Sequence, residues 1–304
     1  MAGYRLTDRN VLLTGASTGI GRELARVLAD RGARLVLTAR DEDRLAALAD
    51  EIARGGRSRP HVLTADLADR GAAAALAEQA VAALGSVDVL VNNAGGGVGG
   101  AQWSVGDDDA AREAFEVNYW SPLALTRALV PAMRERGEGA VVNVTSMAQV
   151  NTWLGFGAYA STKAALGVAT ETLRLELAGS PVHVLEAIPG PVDTAVQGET
   201  RLVPGIDRML ARVPLGDAAE MARRIVAALE RRRAAVIYPR RAALAYAFPT
   251  LARADSRRLA RRVAAEIDPA ALEGLLSLVV RTGSRGDAVA RQAREEWEHA
   301  HGRA

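Results

Sequence analysis

One lysine stands among the 38 Lys and Arg residues of this 304-residue chain. In a sequence that otherwise uses arginine for positive charge, Lys163 marks a position needing a compact ammonium on a flexible stem, able to donate to several oxygens. It follows Tyr159 by four residues in Tyr159-Ala160-Ser161-Thr162-Lys163, a spacing that puts both side chains on one face of a helix. A phenol beside an ammonium is an acid–base pair, provided the ordinary phenol pKa of about 10 falls for base chemistry near neutrality. Ser146 closes an apolar run. Asn118 sits within a long helical stretch, where asparagine is modestly unfavourable and so points to a special role.

The elements that must position these groups alternate along the chain. Short β-rich apolar runs fall at 10–14, 34–39, 61–64, 87–91, 140–145, 182–187 and 235–238, and helical stretches near 19–31, 41–54, 68–84, 109–135, 158–178 and 217–231. Strands that read as continuous apolar runs, each followed by a helix, predict an α/β fold: a Rossmann-like doubly wound parallel sheet of about seven strands, helices on both faces, ligands at the carboxyl ends of the strands. Residues 1–240 read as one catalytic and cofactor-binding domain, and 241–304 as a helical extension of it, not an independent domain.

A nucleotide site is expected after the first strand, where Thr14-Gly15-Ala16-Ser17-Thr18-Gly19-Ile20-Gly21 opens the first helix. Glycines there permit a tight turn and close approach of backbone to a pyrophosphate, and the helix N-terminus supplies N–H groups. Leu37-Thr38-Ala39-Arg40 ends the second strand with no carboxylate at its tip to accept from a ribose 2′-hydroxyl. Arg40 can instead hold a 2′-phosphate, which favours NADP(H) over NAD(H). The following Asp41 reads as a helix N-cap. Asp66-Leu67 after the third strand could reach the adenine edge or cap a helix. Asn92-Asn93-Ala94-Gly95 offers backbone to the ribose, and 96–100 is too glycine-rich for regular structure and reads as a mobile cleft rim.

Composition narrows the chemistry. The chain has no cysteine, which removes disulfides and thiolate sites, and its four histidines do not cluster with carboxylates, so no metal is expected. His61 and His183 read as ordinary packed residues at strand starts. A net charge of +2 speaks against a nucleic-acid binder, and the absence of a signal-like leader or a run of about 18 apolar residues predicts a cytoplasmic protein with no transmembrane segment. Residues 231–262 carry ten arginines against the single acid Asp255, interleaved with Tyr238, Tyr246 and Phe248. That segment is either an amphipathic element for an anionic membrane surface or an arginine-rich helix covering the substrate pocket or a subunit interface.

Taken together, the Gly15/Gly19/Gly21 loop, Asp66-Leu67, Asn92-Asn93-Ala94-Gly95, Asn118, Ser146, Tyr159 with Lys163, and Pro189-Gly190-Pro191-Val192-Asp193-Thr194 resemble the short-chain dehydrogenase/reductase family of the TGxxxGxG and YxxxK type, over roughly residues 8–240. The resemblance implies that Tyr159 is the general acid/base, that Lys163 and the oxidised nicotinamide together lower its pKa, and that Lys163 bonds the nicotinamide ribose. Ser146 would polarise the substrate carbonyl, and Asn118 would hold a relay water through its backbone. Ser17, Thr18, Ile20, Pro189, Gly190, Val192 and Thr194 would line the cofactor. It also implies a homo-oligomer built on the helices of Asn118 and Tyr159.

Substrate choice should rest on the loops 96–109 and 147–157 and on residues after Thr194. Trp153, Leu154 and Phe156, with Leu202, Val203, Ile206, Met209 and Leu210, predict an apolar pocket and a hydrophobic ketone or alcohol. Tyr119, Trp120 and Trp153 read as packing or pocket wall. The expected activity is an NADP(H)-dependent carbonyl reductase, with a 3-oxoacyl-thioester or polyketide-type ketoreductase as the alternative substrate class. A non-catalytic NADP(H)-sensing or scaffold protein is the alternative of another kind.

Overall fold

The computed structural model describes residues 3–106, 109–151, 154–192 and 216–264. Seven parallel strands form one sheet in the order β3-β2-β1-β4-β5-β6-β7. They are β1 (Asn10–Thr14), β2 (Arg34–Ala39), β3 (His61–Thr64), β4 (Val89–Asn92), β5 (Gly139–Val144), β6 (Val182–Pro189) and β7 (Ala235–Tyr238). Side chains alternate between faces along each strand. Leu12, Val36, Leu90, Val141 and Val184 enter one core layer, while Val11, Leu13, Leu35, Leu37, Val89, Val91 and Leu185 enter the other. Both faces are therefore buried, which is why the strands read as unbroken apolar runs.

Helices α1 (Gly19–Asp30) and α2 (Glu42–Arg54) cover one face, together with α8 (Ala218–Glu230). α3 (Ala72–Leu84), α6 (Ser121–Glu135) and the end of α7 (Gly157–Glu176) cover the other. The expected strand at 87–91 starts two residues later: Val87 is core, but ladder pairing begins at Val89. His61 lies exposed on the edge strand β3, not packed as its position suggested.

The stretch 109–135 is not one regular helix. α5 (Asp109–Phe115) runs into a π-helical turn, Glu116–Trp120, before α6 begins, with the Ser121 N–H reaching back five residues to the Glu116 carbonyl. Pro122 has no N–H to give the Asn118 carbonyl, so that carbonyl lacks the partner an α-helix would supply. Two elements absent from the sequence reading are α4 (Gln102–Val105) and a 3₁₀ turn, Met147–Gln149. Past β7 the helices Ala242–Ala247 and Pro249–Ala264 follow, with Leu244, Phe248 and Leu251 exposed.

Candidate active site

The strand order reverses between β1 and β4, and at their carboxyl ends two turns are tied together by Thr14. Its hydroxyl accepts from the N–H groups of Asn93 and Ala94, both at 3.0 Å, and donates to the Val91 carbonyl at 3.2 Å. Asn93 closes the tie, donating from Nδ2 to the carbonyls of Thr14 and Gly15 at 3.0 and 3.1 Å. Gly15 has φ +67°, and a Cβ there would meet Ala94 Cα at 2.7 Å. A Cβ on Gly21 would lie 2.0 Å from the Gly15 carbonyl oxygen. Glycine is therefore required at both places, and the backbone forms a shallow cradle open to a ligand.

α1 opens onto this cradle with no acid in its first turn, and Thr18 makes no side-chain cap bond, so its leading N–H groups suit a phosphate. Ser17 is half-buried and Thr18 exposed at the rim, whereas Ile20 packs into the core beneath. The residues present thus fit a dinucleotide. Arg40 and Asp66 come together at the ends of β2 and β3, with Arg40 Nη1 3.8 Å from Asp66 Oδ2 and both half-exposed. Asp66 also caps its own turn through the Ala68 N–H at 3.0 Å. Asp41 caps α2 by accepting from the Arg44 N–H at 2.9 Å, the role its position predicts. Leu67 is a core side chain whose carbonyl accepts from Ser121 Oγ at 2.8 Å, leaving its side chain no part in a polar contact.

Asn118, Ser146, Tyr159 and Lys163 converge at the ends of β4 and β5. Lys163 is 4% exposed, and its Nζ donates to the Val144 carbonyl at 3.1 Å and lies 6.0 Å from the centre of the Tyr159 ring. Burial holds the ammonium down at about 8. The Tyr159 phenol is pushed above its ordinary value, chiefly by burial, while a hydrogen bond with Ser146 pulls it partly back. At the phenol the desolvation of burial outweighs the Ser146 hydrogen bond. Ser146 begins the 3₁₀ turn, and its Oγ accepts from the Ala148 N–H at 3.1 Å.

Asn118 is fully buried, and its side chain is spent on architecture. Oδ1 accepts from the Gly96 N–H at 3.0 Å; Nδ2 donates to the Gly96 carbonyl at 2.8 Å and to Thr162 Oγ1 at 3.0 Å. Thr162 in turn donates to the Tyr159 carbonyl at 2.7 Å. The stretch 96–100 is irregular as expected, but it is pinned and not a free rim. Asn118 holds both backbone groups of Gly96, Val98 is buried, and the Gly100 N–H reaches the Gly155 carbonyl at 2.9 Å.

With this geometry the sequence profile of the short chain dehydrogenase family matches residues 9–203. The chain is a short-chain dehydrogenase/reductase. It is 38% identical over 195 residues to the mouse "Dehydrogenase/reductase SDR family member 7B", covering 62% of this chain and 59% of that one. It thus matches about three fifths of the length of the first such relatives. It is 40% identical over 192 residues to the 1-deoxy-11-beta-hydroxypentalenate dehydrogenase of Streptomyces avermitilis, covering 62% and 70% of the two chains. A Burkholderia phymatum short-chain dehydrogenase/reductase solved in complex with NAD superposes with a TM-score of 0.72 at 27% identity, over 82% of this chain and 97% of that one. A Sphingobium yanoikuyae short-chain dehydrogenase solved with NADPH gives 0.69 at 28% identity, over 91% and 99%.

In this family member, Pro189 ends β6 and the Gly190 N–H donates to the Tyr238 carbonyl at 2.6 Å. Val192 is buried and pairs with Gly216. Thr194, with Trp153 and the apolar residues 202–210, lies outside the described residues. Trp120, read as packing or pocket wall, is more than half exposed and stacks edge-on against Tyr119 with ring centres 4.7 Å apart. Thr14 and Thr162 do work that sequence reasoning left unassigned; only Thr14's place at the tip of β1 could have signalled it.

Proposed function

We propose that this oxidoreductase moves hydride between NADP(H) and a carbonyl/secondary-alcohol pair, working chiefly as a reductase of a hydrophobic ketone. The convergence of Tyr159, Ser146 and buried Lys163 beside the glycine cradle carries the reading. The cofactor supplies the hydride. Ser146 donates to the ketone oxygen and polarises it, and Tyr159 delivers the proton as negative charge grows there. Burial pushes the Tyr159 phenol up, the direction that suits a proton donor. Lys163 holds ribose hydroxyls and, through the Asn118 carbonyl that Pro122 leaves without an α-helical partner, connects to a water that reprotonates Tyr159. Gly15, Ser17, Thr18, Gly19, Ile20 and Gly21 cradle the phosphates, and Asp66, Leu67, Asn93, Ala94 and Gly95 flank the adenosine. Pro189, Gly190, Val192 and Thr194 face the nicotinamide.

Arg40 supports NADP(H). A half-exposed ion pair at 3.8 Å is worth little, so a 2′-phosphate can displace Asp66 from it. The apolar residues of the 147–157 loop and of the stretch after Thr194 in the sequence support a hydrophobic substrate. Residues 1–240 form the catalytic domain in this reading, with 241–304 as its extension, of which 265–304 lie outside the described residues, and the cytoplasm as its location. Exposed Val168 and Leu175, seven apart on α7, would meet a second copy, and sedimentation should show a species heavier than the 32.0 kDa monomer.

The test is NADPH oxidation over aliphatic, aromatic, steroidal and acyl-thioester ketones, with Tyr159→Phe alongside. The variant should bind NADPH normally and turn over at least about 10²-fold more slowly. A biological effect that survives this substitution unchanged would sink the enzymatic reading and leave a nucleotide-sensing protein.

A further inference from the structure

A carboxylate lies behind the serine turn that the chemistry above does not use. Glu186 on β6 is 3% exposed, and burying a carboxylate is costly unless its oxygens are satisfied. Oε1 accepts from Thr145 Oγ1 at 2.8 Å and from Gln149 Nε2 at 3.0 Å, and Oε2 accepts from the Tyr246 hydroxyl at 3.4 Å. Thr145 and Gln149 bracket Ser146. The Gln149 N–H also donates to the Ser146 carbonyl at 3.1 Å, and Gln149 Nε2 reaches Thr145 Oγ1 at 3.3 Å. The same point touches the helix of Tyr159 and Lys163, since a Cβ on Gly167 would meet Gln149 Oε1 at 2.0 Å and Glu186 Oε1 at 3.5 Å. Tyr246 belongs to the helix Ala242–Ala247 of the C-terminal extension, and Arg253 from the next helix donates to the Val150 carbonyl at 3.2 Å, one residue past the turn.

We infer that Glu186 is a positioning residue that sets the Ser146 turn against Tyr159, and that the extension completes it through Tyr246. Three donors from two separate segments meet on one carboxylate, so the turn, β6, α7 and the extension share a common reference point. Removing the carboxylate frees Thr145 and Gln149 together and lets Ser146 drift relative to a helix that stays in place. The inference rests on the reductase reading for its kinetic consequence and on geometry alone for its structural one.

The experiment uses the full chain as Glu186→Ala, Glu186→Gln and Tyr246→Phe, measuring kcat, KM and NADPH affinity on the best ketone of the screen, and amide hydrogen exchange at Gln149 and Val150. Glu186→Ala should lower kcat by about 10-fold or more while NADPH affinity stays within about twofold, because a small misplacement of one polarising group costs rate before it costs binding. Glu186→Gln, which keeps an acceptor for Thr145, should recover most of the rate. Exchange at Gln149 and Val150 should rise about 5-fold in Tyr246→Phe, the loss of roughly one hydrogen bond, and more in Glu186→Ala, with Val89–Asn92 unchanged. Unchanged exchange in Glu186→Ala overturns the positioning role, as does an alanine variant that loses rate and NADPH affinity together, or a glutamine variant that is no faster than the alanine one. If the wild type reduces no ketone, the reductase reading falls while the exchange result still decides this one.

Discussion

Replacing Asn118 by alanine should cost stability before it costs chemistry. The side chain is fully buried and makes three hydrogen bonds, two to Gly96 and one to Thr162. Alanine leaves the Gly96 N–H and carbonyl without partners, at roughly 1–3 kcal/mol each when water cannot replace them. Gly96 is half-buried, so the lower end applies, and with the vacated volume the loss comes to about 3 kcal/mol. For a domain of this size that corresponds to a fall in Tm of about 6–12 °C. Asn118→Asp should be no better: it keeps an acceptor for the Gly96 N–H but sets an anion against the Gly96 carbonyl. Rate should fall as well, because Gly95 touches both groups, a Cβ there meeting Asn118 Oδ1 at 3.2 Å and Lys163 Nζ at 3.4 Å. Urea unfolding followed by circular dichroism gives the stability directly. An alanine variant within about 0.5 kcal/mol of wild type that is nonetheless inactive would refute the argument, since the side chain would then be chemical and not architectural.

Four further expectations follow from the same geometry. Lys163→Arg should nearly abolish turnover, because a planar fork cannot sit 3.1 Å from the Val144 carbonyl beside Gly95 as an ammonium does, and NADPH-dependent ketone reduction reads this directly. The Lys163 ammonium is depressed from 10.5 to about 8, so its burial penalty is fully present below pH 8 and relieved as pH rises toward 10.5. Lys163→Met should therefore be the more stable protein at pH 7, by about 2 kcal/mol after the lost hydrogen bond is counted, with the advantage gone by about pH 10.5 in a urea titration series. Arg40→Ser should raise KM for NADPH about 10-fold or more and leave KM for NADH within twofold; equal changes in both would remove Arg40 from 2′-phosphate recognition. Leu244, Phe248 and Leu251 are exposed amid Arg240, Arg241, Arg257, Arg258 and Arg261, so the chain should float with anionic liposomes at low salt and release at high salt; failure to bind at low salt removes the peripheral membrane contact of residues 231–262.

Much of the scaffold was legible because a sheet buried on both faces writes itself as apolar runs. The bounds of β1, β2, β3 and β7 follow directly from Asn10–Thr14, Arg34–Ala39, His61–Thr64 and Ala235–Tyr238. Tyr159 and Lys163 were legible because a helix fixes the relation of residues four apart. What stayed hidden depends on partners distant in sequence. Glu186 reads as one more residue in a strand until Thr145 and Gln149 of the serine turn and Tyr246 of the extension meet on it. Asn118 was flagged by its poor helix propensity, yet its bonds to Gly96 and Thr162 carry no local pattern. The upward push of burial on the phenol also left no sign in the sequence, because spacing reports proximity but not desolvation.

The π-helical turn at Glu116–Trp120 has a consequence for phase. One added residue advances a helix by about 100°, so the stripe of α5 and the stripe of α6 face different ways although the chain never leaves the helix. α5 can then lay Ala111 and Ala114 against Val98 and Ala158, while α6 turns Leu125, Leu129 and Met133 onto the sheet. Deleting a single residue between Glu116 and Trp120 would rotate one of these stripes out of its core. Apart from Asn118, length more than residue identity is what this stretch must keep, and substitutions at exposed Trp120 should be tolerated where a one-residue deletion is not.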